Sequence, residues 1–204
     1  MKLVLVAFII LLPAYGNSDS DAYKHYHLGL ALSAQGNYDE AILNHSKAIE
    51  INPQFVDAWI EKGIALLAQD NYSGALRCYD EAIKLDPNDS IPWLIKGETL
   101  ITQGKYAAAI EAYDVVNRLD PTLSRAWFDK GLALDELGKY NDAMDAYYEA
   151  IKLDPKYGKA NYAGFLAYKA LKERNGSDAA FAEYDTKIAL LASANWLPRI
   201  KETV

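Results

Sequence analysis

A 34-residue pattern runs four times through this chain, and that period dictates how it can fold. Glycine recurs at Gly29, Gly63, Gly97 and Gly131, and proline at Pro53, Pro87, Pro121 and Pro155. Tyrosine recurs at Tyr38, Tyr72, Tyr106 and Tyr140, and alanine at Ala41, Ala75, Ala109 and Ala143. A unit of this length cannot bury its apolar face alone, so successive units must stack on one another. Stacking leaves a long surface of the kind that holds other proteins.

Counting each repeat from seven residues before its glycine gives units 22–55, 56–89, 90–123 and 124–157. Each holds two helical patterns. In the second unit, helix A is expected from about Asp57 to Gln69, with Ala58, Trp59, Ala65 and Leu66 at helical spacing. Helix B is expected from about Ser73 to Leu85, with Ala75, Leu76, Tyr79, Ala82 and Ile83 recurring at three and four. The joins are Gln35-Gly36-Asn37, Gln69-Asp70-Asn71, Gln103-Gly104-Lys105 and Leu137-Gly138-Lys139. Gly and Asn suit the left-handed residue that ends a helix, and so short a join makes the two helices antiparallel neighbours. Helix B stops at Asn52-Pro53, Asp86-Pro87, Asp120-Pro121 and Asp154-Pro155, because proline disfavours helix for its predecessor and cannot continue the ladder. Ser90 or Asp89 can cap the third helix A, with Pro92 in its first turn. The fold class is therefore all-α, a solenoid of helical hairpins.

Residues 158–204 depart from the pattern. Gly158 to Glu173 reads as helix A, Arg174 to Asp178 as a longer turn and Ala179 to Leu191 as helix B, with Phe165 in place of the marker glycine. A degenerate terminal pair suits a C-terminal cap, with Trp196, Leu197 and Ile200 folding back on it.

The marks resemble the tetratricopeptide repeat (TPR). Its pattern sets Trp-x2-Leu-Gly-x2-Tyr before Ala-x3-Phe, then Ala and Pro. The second repeat reads Trp59, Lys62, Gly63, Leu66, Tyr72, Ala75, Tyr79, Ala82 and Pro87. The third and fourth follow from Trp93 and Trp127, with Tyr113 and Tyr147 at the aromatic position of helix B. The first is less regular, with His25 at the Trp position and His45 at the aromatic one. Gly on helix A and Ala on helix B remove side chains where the helices approach, while Trp and Tyr supply large apolar contacts. Lysine replaces the family's leucine before each glycine in repeats two to four, its stem covering apolar surface while the ammonium reaches water.

The resemblance implies a right-handed superhelix in which helix A lines a concave groove that takes a protein or peptide partner. The matching positions are Tyr23, Tyr26, Leu30 and Ser33, then Asp57, Ile60, Ile64 and Leu67. Ile91, Leu94, Glu98 and Ile101 follow, then Arg125, Phe128, Leu132, Asp135 and Glu136, with Lys159, Tyr162 and Leu166 in the fifth pair. This lining is apolar with an acidic margin and fits an apolar or amphipathic segment of a partner, with basic flanks. The same positions also serve packing between neighbouring helices, and sequence does not separate the two uses. A subclass of the family clamps a peptide carboxylate with Lys, Asn and Arg. Tyr26, Leu30 and Leu94 stand in those places, so chaperone-tail binding is not expected. The alternative is a structural or assembly component that self-associates or acts through its convex face.

Nothing in the chain supplies a catalytic constellation, so no enzyme activity, cofactor, metal or small-molecule substrate is expected. His25 and His27 stand two apart on different helix faces, which is not a metal pair, and His45 takes a core position. The aspartates mark helix starts, as at Asp39 and Asp142, or helix ends before proline. A net charge of −7 with no basic cluster excludes a phosphate-backbone footprint, and with it nucleic acid as a partner. The lone Cys78 cannot form an intramolecular disulfide and reads as a small apolar helix residue. Asn-x-Ser occurs at Asn44, Asn71, Asn88 and Asn175, as turn chemistry or as glycan acceptors if the export route carries that machinery.

Ahead of the repeats, Lys2 precedes an apolar run from Leu3 to Leu12, then Pro13-Ala14-Tyr15-Gly16. That is a signal peptide pattern with a cut after Gly16, and the run is too short to span a bilayer comfortably. Losing Lys2 takes the net charge from −7 to −8. Residues 17–21 form a short polar lead-in. The mature chain is expected to be secreted or extracytoplasmic. If the segment is not cleaved, it anchors the chain and is its only membrane contact.

Overall fold

A computed structural model describes residues 18–154 together with Gly164, Ala167 and Thr186. Among these there are eight principal helices and no strand, an all-α helical-repeat solenoid. They are α1 (Ser18–Ala34), α2 (Tyr38–Ile51), α3 (Val56–Leu67), α4 (Tyr72–Leu85), α5 (Ser90–Thr102), α6 (Tyr106–Leu119), α7 (Ser124–Glu136) and α8 (Tyr140–Leu153). Residues 1–17, which include the expected leader, lie outside the described residues. So do Lys159, Tyr162, Leu166 and most of the expected fifth pair and cap. Gly164, Ala167 and Thr186 are helical, and Ala167 is fully buried.

The turn inside each hairpin follows from one left-handed residue. Gly36, Gly104 and Gly138 have φ of 79°, 69° and 69°, and Asp70 takes the same region at 58°. The next amide then reaches back to close the helix: Asn37 N donates to Leu32 O, Asn71 to Leu66, Lys105 to Leu100 and Lys139 to Leu134, each at 2.9 Å. This terminus satisfies carbonyls that the helix leaves open. It also ends α3 at Leu67, two residues before the expected Gln69. Asn71 caps α4 by accepting from Gly74 N at 3.0 Å. Asp39 and Asp142 lie in the first turns of α2 and α8, where their charge suits the helix dipole.

The proline turn between hairpins has its own chemistry. The Asn52, Asp86 and Asp120 side chains each accept from the amide two residues on, Gln54, Asn88 and Thr122, at 3.0 Å. An acceptor that folds back over proline explains why Asn or Asp precedes it each time. Tryptophan then ties the turn to the next helix: Trp59 Nε1 donates to Pro53 O at 3.1 Å and Trp127 Nε1 to Pro121 O at 3.4 Å. In repeats two to four the lysine before the marker glycine lies over the tryptophan of its own helix. Lys62, Lys96 and Lys130 stand 5.7, 5.3 and 5.5 Å from the ring centroids of Trp59, Trp93 and Trp127. Each such contact contributes about 0.5–1 kcal/mol. Asp89 accepts from Ile91 N at 2.9 Å at the start of α5.

The marker glycines face an aromatic ring of the partner helix. A Cβ at Gly29 would sit 2.5 Å from His45 and one at Gly97 2.8 Å from Tyr113, with Tyr79 and Tyr147 crowding Gly63 and Gly131 in the same way. All four rings are fully buried, as are Ala41, Ala75, Ala109 and Ala143 on the same helices.

The chain divides into two units, residues 1–92 and 93–204, with the division inside α5. In the first, α1 packs on α2, α2 on α3 and α3 on α4. Ala22, Ala48, Ile49, Phe55 and Ala58 form its core, flanked by Tyr26 and Trp59. In the second, α6 packs on α7 and α7 on α8. Its core includes Leu134, Met144, Tyr147, Ile151 and Ala167, with Trp127, Phe128 and Leu132 packed against it.

Candidate protein-binding site

In the first unit α1 and α3 bring an aromatic group and a pair of carboxylates together. Phe55, at the N-terminus of α3, is buried, and the Tyr23 and Tyr26 rings both lie 4.8 Å from it. His27 stands 5.3 Å from Tyr26 and 6.4 Å from Tyr23. Tyr23 remains 52% exposed although it touches this group. Burial, and after it the charges of Asp57 and Glu61 one helical turn apart on α3, push the Tyr26 pKa up. Burial, then Asp57, raises Glu61. Beneath Tyr26 lies His45, fully buried, with its ring centroid 5.9 Å away. Burial, and secondarily the Lys62 charge, push the His45 pKa down to about 4.

In the second unit the polar residues converge. Arg125 Nη2 lies 2.7 Å from Glu98 Oε1, and its Nε lies 3.5 Å from Asp129 Oδ2. Burial pushes the Asp129 carboxyl up to about 6; Glu98 adds to the shift and Arg125 opposes it. Burial also raises Glu98, and Arg125 partly offsets it. Lys130, beside them on α7, pairs with Asp114.

The residues expected to line the groove separate into distinct environments. Tyr23, Asp57 and Ile91 are exposed in the first unit, and Tyr26, Leu30, Ser33, Ile64 and Leu67 are half-buried. Ile60 is a correction: at 5% exposure it belongs to the core, while Ile64, four residues on and on the same helix face, is half-buried. In the second unit Arg125 and Glu136 are exposed, while Leu94, Glu98, Ile101 and Asp135 are half-buried. Burial, then Glu136, raises Asp135. Phe128 and Leu132 are half-buried and pack on the core, with the Phe128 ring 5.7 Å from Tyr147. Sequence reasoning missed Phe55, Glu61 and Asp129. The two acids were findable, since each stands four residues after a lining residue, Asp57 and Arg125, and so shares its helix face.

Two Asn-x-Ser sites are committed to the fold. Asn44 is 8% exposed, its oxygen 3.0 Å from His25 Nδ1 and its Nδ2 donating to Glu40 O at 2.9 Å. Asn71 is the cap of α4, whereas Asn88 is exposed in its turn. Asn175 lies outside the described residues. Cys78 is buried, and burial raises its pKa, which suits an inert core thiol. Among the described residues no group of three or more His, Cys, Asp or Glu is placed to hold a metal, and no helix is long and apolar enough to cross a membrane.

Helical hairpins repeated at one period, with an aromatic of helix B seated on a glycine of helix A, define a helical-repeat scaffold for protein–protein interaction. The match to family models is direct: tetratricopeptide-repeat models cover residues 22–55, 60–124 and 124–157, and the chain belongs to the tetratricopeptide repeat family. Members of this family bind protein or peptide partners and are in general non-catalytic. No curated protein matches the chain in sequence. Among solved structures, a MamA protein superposes with a TM-score of 0.71 at 21% identity, covering 88% of this chain and 98% of its own. MamA 41-end from Desulfovibrio magneticus RS-1 gives 0.70 at 23% identity, covering 85% and 96%. YrrB, described as a TPR protein with an unusual peptide-binding site, gives 0.68 at 19% identity, covering 91% and 94%. At these identities the likeness concerns the fold.

Proposed function

We propose that this chain is an exported adaptor whose helix-A side chains receive an apolar or amphipathic segment of a partner protein. The observation that carries this reading is the incomplete burial of large side chains on helix A. Tyr23 and Ile91 are 52% and 54% exposed, whereas Ala22 and Leu100 on the same two helices are buried. Water-exposed apolar side chains at helical spacing favour an apolar ligand. The leader pattern in residues 1–16 supports export and an extracytoplasmic site of action, with residues 17–204 as the mature chain. YrrB's peptide site is a precedent for peptide recognition on this fold.

A second reading has its own support. Leu43, on helix B, is 53% exposed, and Leu28, on helix A of the first repeat, is 50% exposed. These suit an assembly component that self-associates through the outer face. A pull-down from the native extracytoplasmic fraction separates the readings, using residues 17–204 with Tyr23→Ser and Ile91→Ser against Leu43→Ser. Loss of one partner protein with the helix-A pair, and retention with Leu43→Ser, supports the adaptor. The reverse pattern, together with monomeric Leu43→Ser where the parent oligomerises, supports assembly and overturns it.

A further inference from the structure

Three of the Asn-x-Ser sequences lie among the described residues, and the fold gives each a different environment. Asn44 and Ser46 are inside α2, where Asn44 Nδ2 donates to Glu40 O at 2.9 Å and Ser46 Oγ to Ile42 O at 2.7 Å. Asn71 is the cap of α4. Its oxygen accepts from Gly74 N at 3.0 Å and from Ser73 Oγ at 3.4 Å, and Tyr72 and Ser73 are already helical. Asn88 differs from both. It lies with Asp89 between Leu85, the last residue of α4, and Ser90, the first of α5. The turn uses only its amide, which donates to Asp86 Oδ1 at 3.0 Å. The residue is exposed, and its carboxamide makes no hydrogen bond among the described residues. The proline turn exposes this position each time, as at Gln54 and Thr122, but only here does it carry an asparagine with a serine two residues on.

We propose that Asn88 is a glycan acceptor on the exported chain, taking a sugar from a polyprenyl phosphate or diphosphate carrier. This rests on the export part of the proposed function. Asn88 Nδ2 bonds to the anomeric carbon of the sugar, and the bond from that carbon to the carrier's phosphate oxygen breaks. The carrier phosphate leaves with the electron pair and Nδ2 gives up one proton, so nothing is oxidised or reduced. Ser90 supplies the hydroxyl that the acceptor sequence requires. A sugar on Asn88 extends from a turn into water and displaces no contact of the fold. On Asn44 the same sugar would break the bond from Nδ2 to Glu40.

The chain is isolated from the native extracytoplasmic fraction and digested with trypsin, which puts the three sites on separate peptides, residues 25–47, 63–77 and 85–96. Mass spectrometry is expected to find a sugar increment on 85–96 and none on 25–47 or 63–77. The increment is expected to be lost in Asn88→Gln and in Ser90→Ala, and kept in Ser90→Thr. Both loss variants spare the turn, because Asn88 contributes only its amide and Asp89 Oδ1 accepts from Ile91 N at the start of α5. Circular dichroism verifies this. An increment that survives Asn88→Gln but not Ser90→Ala puts the sugar on the serine and overturns the inference. An increment on 63–77 in place of 85–96 overturns it too. So does an unmodified 85–96 peptide in a chain that begins at Asn17, an outcome that leaves the export and adaptor readings standing. An intact leader with no sugar removes export and this inference together. A glycosylated chain that captures no partner upholds the inference and removes the adaptor reading alone.

Discussion

His45 occupies the seat that Tyr79, Tyr113 and Tyr147 fill in later repeats, pressed against Gly29 and shut away from solvent. Unfolded, the imidazole titrates near 6.5; folded, near 4, so between these values the unfolded chain binds more protons. Stability from this group is complete above 6.5 and is lost as pH falls through about 4, by about 3 kcal/mol in all. Urea denaturation at pH 7 and pH 4 is expected to show that loss, and His45→Phe to flatten it. Asp129 runs the other way. Its folded pKa of about 6 lies above the ordinary 3.8, so its contribution is present below 3.8 and lost as pH rises through 6. At pH 7 its charge costs stability. Asp129→Asn is expected to raise the free energy of urea unfolding there by roughly 1–2 kcal/mol after the weakened contact to Arg125, with the gain vanishing near pH 4. Because the two groups oppose each other over one pH range, the parent's profile understates both, and only the single variants separate them.

Among the elements, glycine does two different jobs. Gly97 stands mid-helix, where alanine would be better by about 1 kcal/mol on propensity alone. Its added Cβ would meet the fully buried Tyr113 ring at 2.8 Å, and overpacking wins. Gly97→Ala is expected to destabilise by about 2–3 kcal/mol in thermal or urea unfolding. Gly36 has open space around it, but φ of 79°, so Gly36→Ala pays only backbone strain, about 1 kcal/mol. Asn117 on α6 takes the position that Ile49, Ile83 and Ile151 hold elsewhere in the array. It is 8% exposed, and neither side-chain polar atom finds a hydrogen bond among the described residues. Asn117→Ile is expected to stabilise by about 1–2 kcal/mol, read from the same unfolding curves. The helices themselves were readable from sequence because apolar spacing and turn chemistry recur in phase. What escaped was contact between elements. Phe55 joins Tyr23 and Tyr26 only because the proline turn delivers it there, and Ile60 shares a helix face with Ile64, so only packing, which buries the first and leaves the second half-buried, tells them apart.

At the scale of the molecule, a stacked array stabilises each hairpin chiefly through its nearest neighbours. Damage should therefore stay local. In Gly97→Ala, amide hydrogen exchange is expected to rise most across α6–α8 and least across α1–α3, and a uniform rise would show that the array unfolds as one. If the chain is exported, as proposed, local stacking also gives Asn44 an unusual fate. Its carboxamide is tied between His25 and the backbone once α1 and α2 have paired, yet in the nascent chain it is as open as Asn88. A sugar attached there before pairing would bar the first hairpin from closing. If the route carries glycosyl transfer, occupancy at Asn44 relative to Asn88 becomes a clock, recording whether the first hairpin closes before the enzyme arrives.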